Sequence, residues 1–206
     1  MRFMAKENTK NEKEEKKELK IPSIELLREE LEWENSRYNF RKTLWNITAV
    51  LLVAAAITAL VATRLFILIR INGSSMTPTL VDSEVIFIRQ TKDVEVGDII
   101  GFYYGGKVLL KRAVAGEGDE VEIDQEGNVF VNGEQLEEPY LAEKNLGKCE
   151  IQFPYTVPEG MLFVLGDNRA ISIDSRNKKI GCVESDQIVG KVAFRAWPMA
   201  RMGIVR

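Results

Sequence analysis

Apolar and polar positions divide the chain into three regimes. Residues 1–22 hold few apolar side chains among closely spaced Lys and Glu, as in KNEKEEKKELK. Such a stretch cannot bury enough surface to offset its chain entropy, so it reads as a charged, disordered tail. In residues 23–42, Ser23 can cap a helix, and Ile24, Leu27, Leu31 and Tyr38 fall near one face of a 3.6-residue period. A short amphipathic juxtamembrane helix is predicted there. Residues 44–63, LWNITAVLLVAAAITALVAT, then run for 20 positions without a charge. As a helix they span roughly 30 Å, the thickness of a bilayer's hydrocarbon core. Trp45 stands at one end, where an interfacial aromatic belongs, and Arg64 at the other, where it can snorkel into water. With the apolar LFILI included, the predicted membrane helix covers 44–69. The run is longer than the apolar core of a secretory leader and follows some 40 residues of polar chain, which favours an anchor over a cleaved signal.

From residue 72 the period falls to two. EVIFIR, DIIGFYY, KVLLKRAVAG, NVFV, MLFVLG and QIVGKVAFRAW are rich in Val, Ile and Phe and are separated by Gly, Asp and Pro. Asn132-Gly133 suits a tight type I′ hairpin. The prediction for 72–206 is a mostly β, antiparallel domain.

Composition narrows the chemistry. The net charge of −3 gives no reason to expect nucleic acid as a partner. The chain has no histidine, so the commonest general base and metal ligand is missing. Its two cysteines, Cys149 and Cys182, exclude a four-thiolate zinc site, and a Cys–His protease is excluded as well. A hydrolase built from this chain must take its base from Lys, Asp, Glu or Tyr.

Three small constellations carry candidate chemistry. In GSSMTPTL (73–80), Gly and Pro bracket a Ser-Met pair, placing Ser75 in a turn after the strand-like ILIRI. In VLLKRAVAGEGDEV (108–121), Lys111 lies inside an apolar strand. Alternation puts Leu109, Lys111 and Ala113 on one face and Leu110, Arg112 and Val114 on the other. By pattern alone this is an edge strand with snorkelling cations. LGDNRAISIDSR (165–176) crowds Gly, Asp, Asn, Ser and Arg into one loop directly after a buried-looking strand, where a rigid scaffold presents function.

These three motifs, in this order behind a membrane span, resemble the bacterial type I signal peptidases. Ser75-Met76-Thr77-Pro78-Thr79-Leu80 matches the family's serine box. Lys111-Arg112 with Gly118-Asp119 matches its lysine box. Gly166-Asp167-Asn168-Arg169 with Ser172-Ile173-Asp174-Ser175-Arg176 matches its last box. VGDII, VFVNG…EPYL and IVGKVAFRAWP add smaller similarities over 44–206. The resemblance implies a signal-peptidase and SOS-repressor-like β fold behind a single transmembrane helix. It implies a membrane-bound serine endopeptidase that removes signal peptides after small residues at −1 and −3, without cofactor or metal. Ser75 becomes the nucleophile and oxyanion donor, Lys111 the base, and Ser172 a hydrogen-bond partner of the lysine amine. Asp174 and Arg176 become a structural pair, Gly166, Asp167 and Asn168 a wall of the site, and Ile71, Met76, Leu80 and Leu110 the linings of shallow pockets.

Preprotein signal peptides, the bilayer and the secretion translocon are the implied partners. The implied topology is a cytoplasmic N-terminus with residues 72–206 outside the cell membrane. Flanking charge alone is nearly balanced, with Arg37, Arg41 and Lys42 on one side against Arg64, Arg70 and Arg89 on the other. Some relatives carry a serine two positions before the nucleophile; Gly73 stands there, as in the Gram-positive-like branch. A self-cleaving repressor of the SOS type also uses Ser-Met with a downstream Lys, but the membrane span and GDNRAISIDSR count against it. A non-enzymatic tethered β-domain would be expected to lose one member of the Ser75/Lys111 pair.

Overall fold

A computed structural model describes residues 23–205; the predicted tail at 1–22 lies outside them. The first element is one uninterrupted helix, α1 (Ile24–Leu65). Ser23 caps it: its Oγ accepts from the Leu26 N–H at 3.4 Å, and its carbonyl accepts from Leu27 at 3.1 Å. The sequence suggests two helices here, but no Gly or Pro breaks the backbone between them. The chain divides between Ala56 and Ile57, inside α1, into an N-terminal helical unit and a unit holding the remainder. Side chains all along α1 are exposed, including the uncharged 44–63 stretch.

The helix ends four residues sooner than expected. Phe66–Arg70 form strand β1, paired antiparallel with β2 (Val85–Arg89) from Phe66↔Arg89 to Arg70↔Val85. The next strands are β3 (Ile99–Tyr104) and β4 (Lys107–Ala115). A four-stranded sheet follows, made of β5 (Glu120–Ile123), β6 (Val129–Val131), β7 (Glu134–Gln135) and β8 (Tyr155–Thr156). Between β6 and β7, Asn132 (φ 53°) and Gly133 (φ 81°) both take the left-handed conformation of a type I′ turn. The chain then returns through β9 (Met161–Leu165), β10 (Val183–Glu184), β11 (Ile188–Trp197) and β12 (Gly203–Ile204).

The main sheet runs β1-β2-β11-β3-β4-β9-β10, with β12 on β11, and every pairing is antiparallel. Strand β4 therefore lies inside the sheet, between β3 and β9. This corrects the edge-strand reading of KVLLKRAVA, and it buries Lys111 and Arg112, which are 3% and 2% exposed. Ile71, Met76, Leu80, Ile86, Ile88, Ile99 and Val192 form one core cluster beneath the β1–β2 connection. Each such side chain contributes about 1.5–3 kcal/mol by leaving water, enough to make the loop above it rigid. A second cluster, including Val114, Val121, Val129, Phe163 and Leu165, joins strands of both sheets.

Candidate active site

Ser75 sits in the β1–β2 connection, a loop tied at its base by Ile71 N–H to Glu84 O (2.8 Å) and Ser83 N–H to Ile71 O (2.9 Å). Met76 and Leu80 are buried, and the Leu80 N–H donates to Met76 O at 2.8 Å. With its neighbour sunk into the core, Ser75 is held half-buried at the surface of the loop. Gly73 takes φ +113°, a conformation an L side chain resists, and its N–H donates to Asp82 Oδ1 at 2.8 Å. That bond, the largest cause, holds the exposed Asp82 carboxyl below its ordinary range. The Gly73 N–H is thus committed, whereas the Ser75 N–H makes no hydrogen bond among the described residues.

Lys111 meets Ser75 from β4. Its Nζ lies 3.0 Å from Ser75 Oγ and donates to Leu110 O at 2.9 Å. Burial pushes the amine down to about 8, against the pull of the Asp174 and Asp167 carboxylates; the Arg176 cation lowers it further. At pH 7 about a tenth of such lysines are neutral, against about one in 2,500 for a free side chain.

The 166–176 loop closes the arrangement. Asn168 N–H donates to the Ser75 carbonyl at 3.0 Å, so this loop grips the backbone of the serine itself. Gly166 packs so tightly that a Cβ there would collide with Ser172 Oγ and stand 2.5 Å from Ser172 Cβ and 2.6 Å from Ser75 O. Three ion pairs, each with side chains at most 3% exposed, hold the surroundings: Arg112–Asp167, Arg169–Glu138 and Arg176–Asp174. Asp167 receives Arg112 Nε at 2.9 Å and Nη2 at 2.7 Å, and also accepts from Thr79 Oγ1 at 2.5 Å, joining the serine loop to β4. Asp174 receives Arg176 Nε and Nη2, both at 2.8 Å, and accepts from the Gly166 N–H at 3.0 Å.

One expected contact is not made. Ser172 is buried, 4% exposed, but its Oγ has no hydrogen-bond partner among the described residues; Lys111 Nζ bonds the Leu110 carbonyl instead. Ser172 is engaged through its backbone, donating to Asn168 O at 3.0 Å, and through its packing on Gly166.

The expected pocket residues separate. Ile71, Met76 and Leu110 line a cavity of about 400 Å³ together with Ser75, Lys111, Ile69 and Val108, and Arg70 and Lys107 line it too. Leu80 does not reach it, being wholly buried in the core below. A second cleft of about 490 Å³ shares Asn72, Gly73, Ser75, Leu109 and Lys111 with the first.

Sequence reasoning missed Glu138 and Tyr140. Glu138 neutralises Arg169 and accepts from the Tyr140 hydroxyl at 2.9 Å, and the Arg112 guanidinium stacks 3.8 Å above the Tyr140 ring. Arginines sunk between strands require carboxylates, but nothing local distinguishes Glu138 from Glu137. Cys149 and Cys182 are both free thiols.

Residues 44–197 match the protein family described as "Signal peptidase, peptidase S26". Signal peptidase I of Streptococcus pneumoniae serotype 4 is 29% identical over 82% of this chain and 98% of its own length. Signal peptidase I P of Bacillus subtilis subsp. natto is 35% identical over 74% of this chain and 88% of its own. Among solved structures, a signal peptidase I from Enterococcus faecalis V583 aligns with TM-score 0.42 and 34% identity, over 48% of this chain and 96% of that one.

Proposed function

The chain belongs to the signal peptidases of family S26, and from that premise we propose that Ser75 is the nucleophile and Lys111 the general base of a membrane-bound enzyme that removes signal peptides from preproteins. The observation that carries this reading is the 3.0 Å approach of a buried lysine amine to the Ser75 hydroxyl. In a chain without histidine, an amine lowered to about 8 is a competent base near neutral pH.

Neutral Lys111 takes the hydroxyl proton as Ser75 Oγ adds to the scissile carbonyl. The Ser75 N–H, without another partner among the described residues, donates to the oxyanion that forms. The Lys111 ammonium then protonates the departing amine of the mature chain, leaving an acyl-enzyme. Water attacks the ester and gives its proton to Lys111, which returns it to Ser75 Oγ as the ester bond breaks and the signal peptide leaves. The Arg112–Asp167 and Asp174–Arg176 pairs hold the strand and loop that keep the two groups in register. The cavity lined by Ile69, Ile71, Met76 and Leu110 receives the small side chains at −1 and −3.

The purified, detergent-solubilised protein should cleave a preprotein after Ala-X-Ala, and Ser75→Ala should lower kcat by about a million-fold, as when a serine protease loses its nucleophile. Each methylene beyond alanine at −1 should slow cleavage about 10- to 200-fold, so valine and phenylalanine should be slower still, since the apolar side chains of the pocket discriminate by about 1–3 kcal/mol per methylene. Cleavage that survives Ser75→Ala would refute the assignment.

Residues 44–63 are uncharged, helical and exposed, a combination suited to lipid rather than water. In the proposed topology the N-terminus is cytoplasmic and the β unit faces outward. Protease added to intact spheroplasts should then digest the β unit; its full protection would reverse the topology.

A further inference from the structure

We propose that the second cleft beside Ser75 reads the first residues of the mature chain and favours a carboxylate there, with Lys179 as the selecting charge. This rests on the reading of Ser75 and Lys111 as the dyad. The two clefts share Ser75 and Lys111 and diverge from them. A peptide whose scissile carbonyl lies at Ser75 and whose −1 and −3 side chains sit against Ile69, Ile71, Met76 and Leu110, in the cavity that Arg70 and Lys107 also line, would leave through the other cleft. Its departing segment is the beginning of the mature protein.

The wall of that cleft is built for contact. Along residues 171–174 exposure alternates: Ile171 and Ile173 are 58% and 59% exposed, while Ser172 and Asp174 are buried. The buried pair is locked by the Asp174–Arg176 ion pair and by the Ser172 N–H to Asn168 O bond. The two isoleucines are therefore presented on a rigid loop, and both line the cleft. Lys179 lines it as well. Its backbone carbonyl accepts from the Tyr104 hydroxyl at 3.0 Å, and its amine has no ion-pair partner among the described residues.

Among the described residues no carboxylate lines this cleft. The nearby acids of the loop, Asp167 and Asp174, are consumed by Arg112 and Arg176. Besides Lys111 of the dyad, the cleft thus presents apolar surface and one further cation without an ion pair among the described residues, Lys179. An extended mature segment lays its side chains along this wall, so an acidic residue gains and a basic one loses. For a solvent-exposed pair the gain is modest, about threefold in kcat/KM, and reversing the charge on the enzyme doubles the swing in logarithmic terms.

The test uses the full-length enzyme in detergent and quenched peptides with Ala at −3 and −1. A single Glu, Gln or Lys is moved through positions +1 to +4, and kcat/KM is expressed as the Glu-to-Lys ratio within each enzyme. At one or more positions the wild-type ratio should be about tenfold, should fall toward one in Lys179→Met, and should invert in Lys179→Glu. High salt should flatten it. A ratio indifferent to residue 179 at all four positions would overturn the proposal while leaving the dyad intact, and would leave Ile171 and Ile173 to a lipid surface instead. Failure to cleave any peptide would remove the dyad reading and this proposal with it.

Discussion

Lys111→Arg should abolish cleavage, with kcat falling on the order of a million-fold, although the positive charge and much of the aliphatic stem remain. Arginine does not release its proton at any working pH, so it cannot accept one from Ser75. A lysine serving only as a buried structural cation would tolerate the change in part. In the wild type, kcat/KM should climb tenfold per pH unit below about 8 and level off above it, following deprotonation of a single amine.

The same burial has a consequence for stability. The amine titrates near 8 in the folded chain and near 10.5 when unfolded, so between those values the unfolded state binds more protons. Stability contributed at this position therefore rises with pH across that window, and below about 8 the charged amine imposes its full cost. Lys111→Met should be inactive yet more stable at neutral pH, by about 3 kcal/mol. Its advantage should fade as pH rises toward 10.5. Thermal melting at pH 7 and 10 reads the stability and a preprotein digest reads the activity. Cleavage by Lys111→Arg within about a hundredfold of wild type would end the case for the dyad.

Asp167→Ala should be the most destabilising single change near the site. It leaves the Arg112 guanidinium, 2% exposed, with the Gly97 carbonyl as its remaining hydrogen-bond acceptor, and it strips Thr79 of its acceptor. Breaking a buried pair from one side costs about 3–5 kcal/mol. For a domain of this size that lowers Tm by roughly 10–15 °C. Activity should fall too, because the Asn168 N–H that holds the Ser75 carbonyl follows Asp167 in the same loop. Losing this carboxylate, which draws the Lys111 pKa upward, should move the acid limb of the pH profile below about 8. Asp167→Leu with Arg112→Met should recover stability, since neither charge is then stranded. A loss in Tm of only a degree or two for Asp167→Ala would show that the pair contributes little.

Arg112 illustrates the limit of reading one strand at a time. Alternation puts it on the opposite face from Lys111, which suggests a harmless control position. In the folded chain that face is the interior of the ion-pair network. Substituting Arg112 would disturb the site as surely as substituting its neighbour.

Period-two patterning and turn chemistry are local properties, and they suffice to locate β2, β3, β4, β6, β9, β11 and the Asn132-Gly133 turn along the chain. The three polar motifs named residues that the fold brings together: Ser75 and Lys111 at 3.0 Å, and Asn168 on the serine carbonyl. Elsewhere the outcome depended on distant partners. Phe66–Arg70 continue an apolar run with no Gly or Pro to end the helix, and pairing with Val85–Arg89 makes them a strand. Strand β4 became interior because β9 joins its far side after the whole second sheet has intervened. Ile71 and Leu80 are equally apolar, yet only Ile71 reaches the cavity, because the loop turns Leu80 into the core. Glu138 and Ser172 follow the same rule. Hydrophobic period and turn propensity act over a few residues and can be read along the chain. Burial, charge pairing and the depressed basicity of Lys111 are set by groups tens of residues away, and only the folded backbone brings them within range.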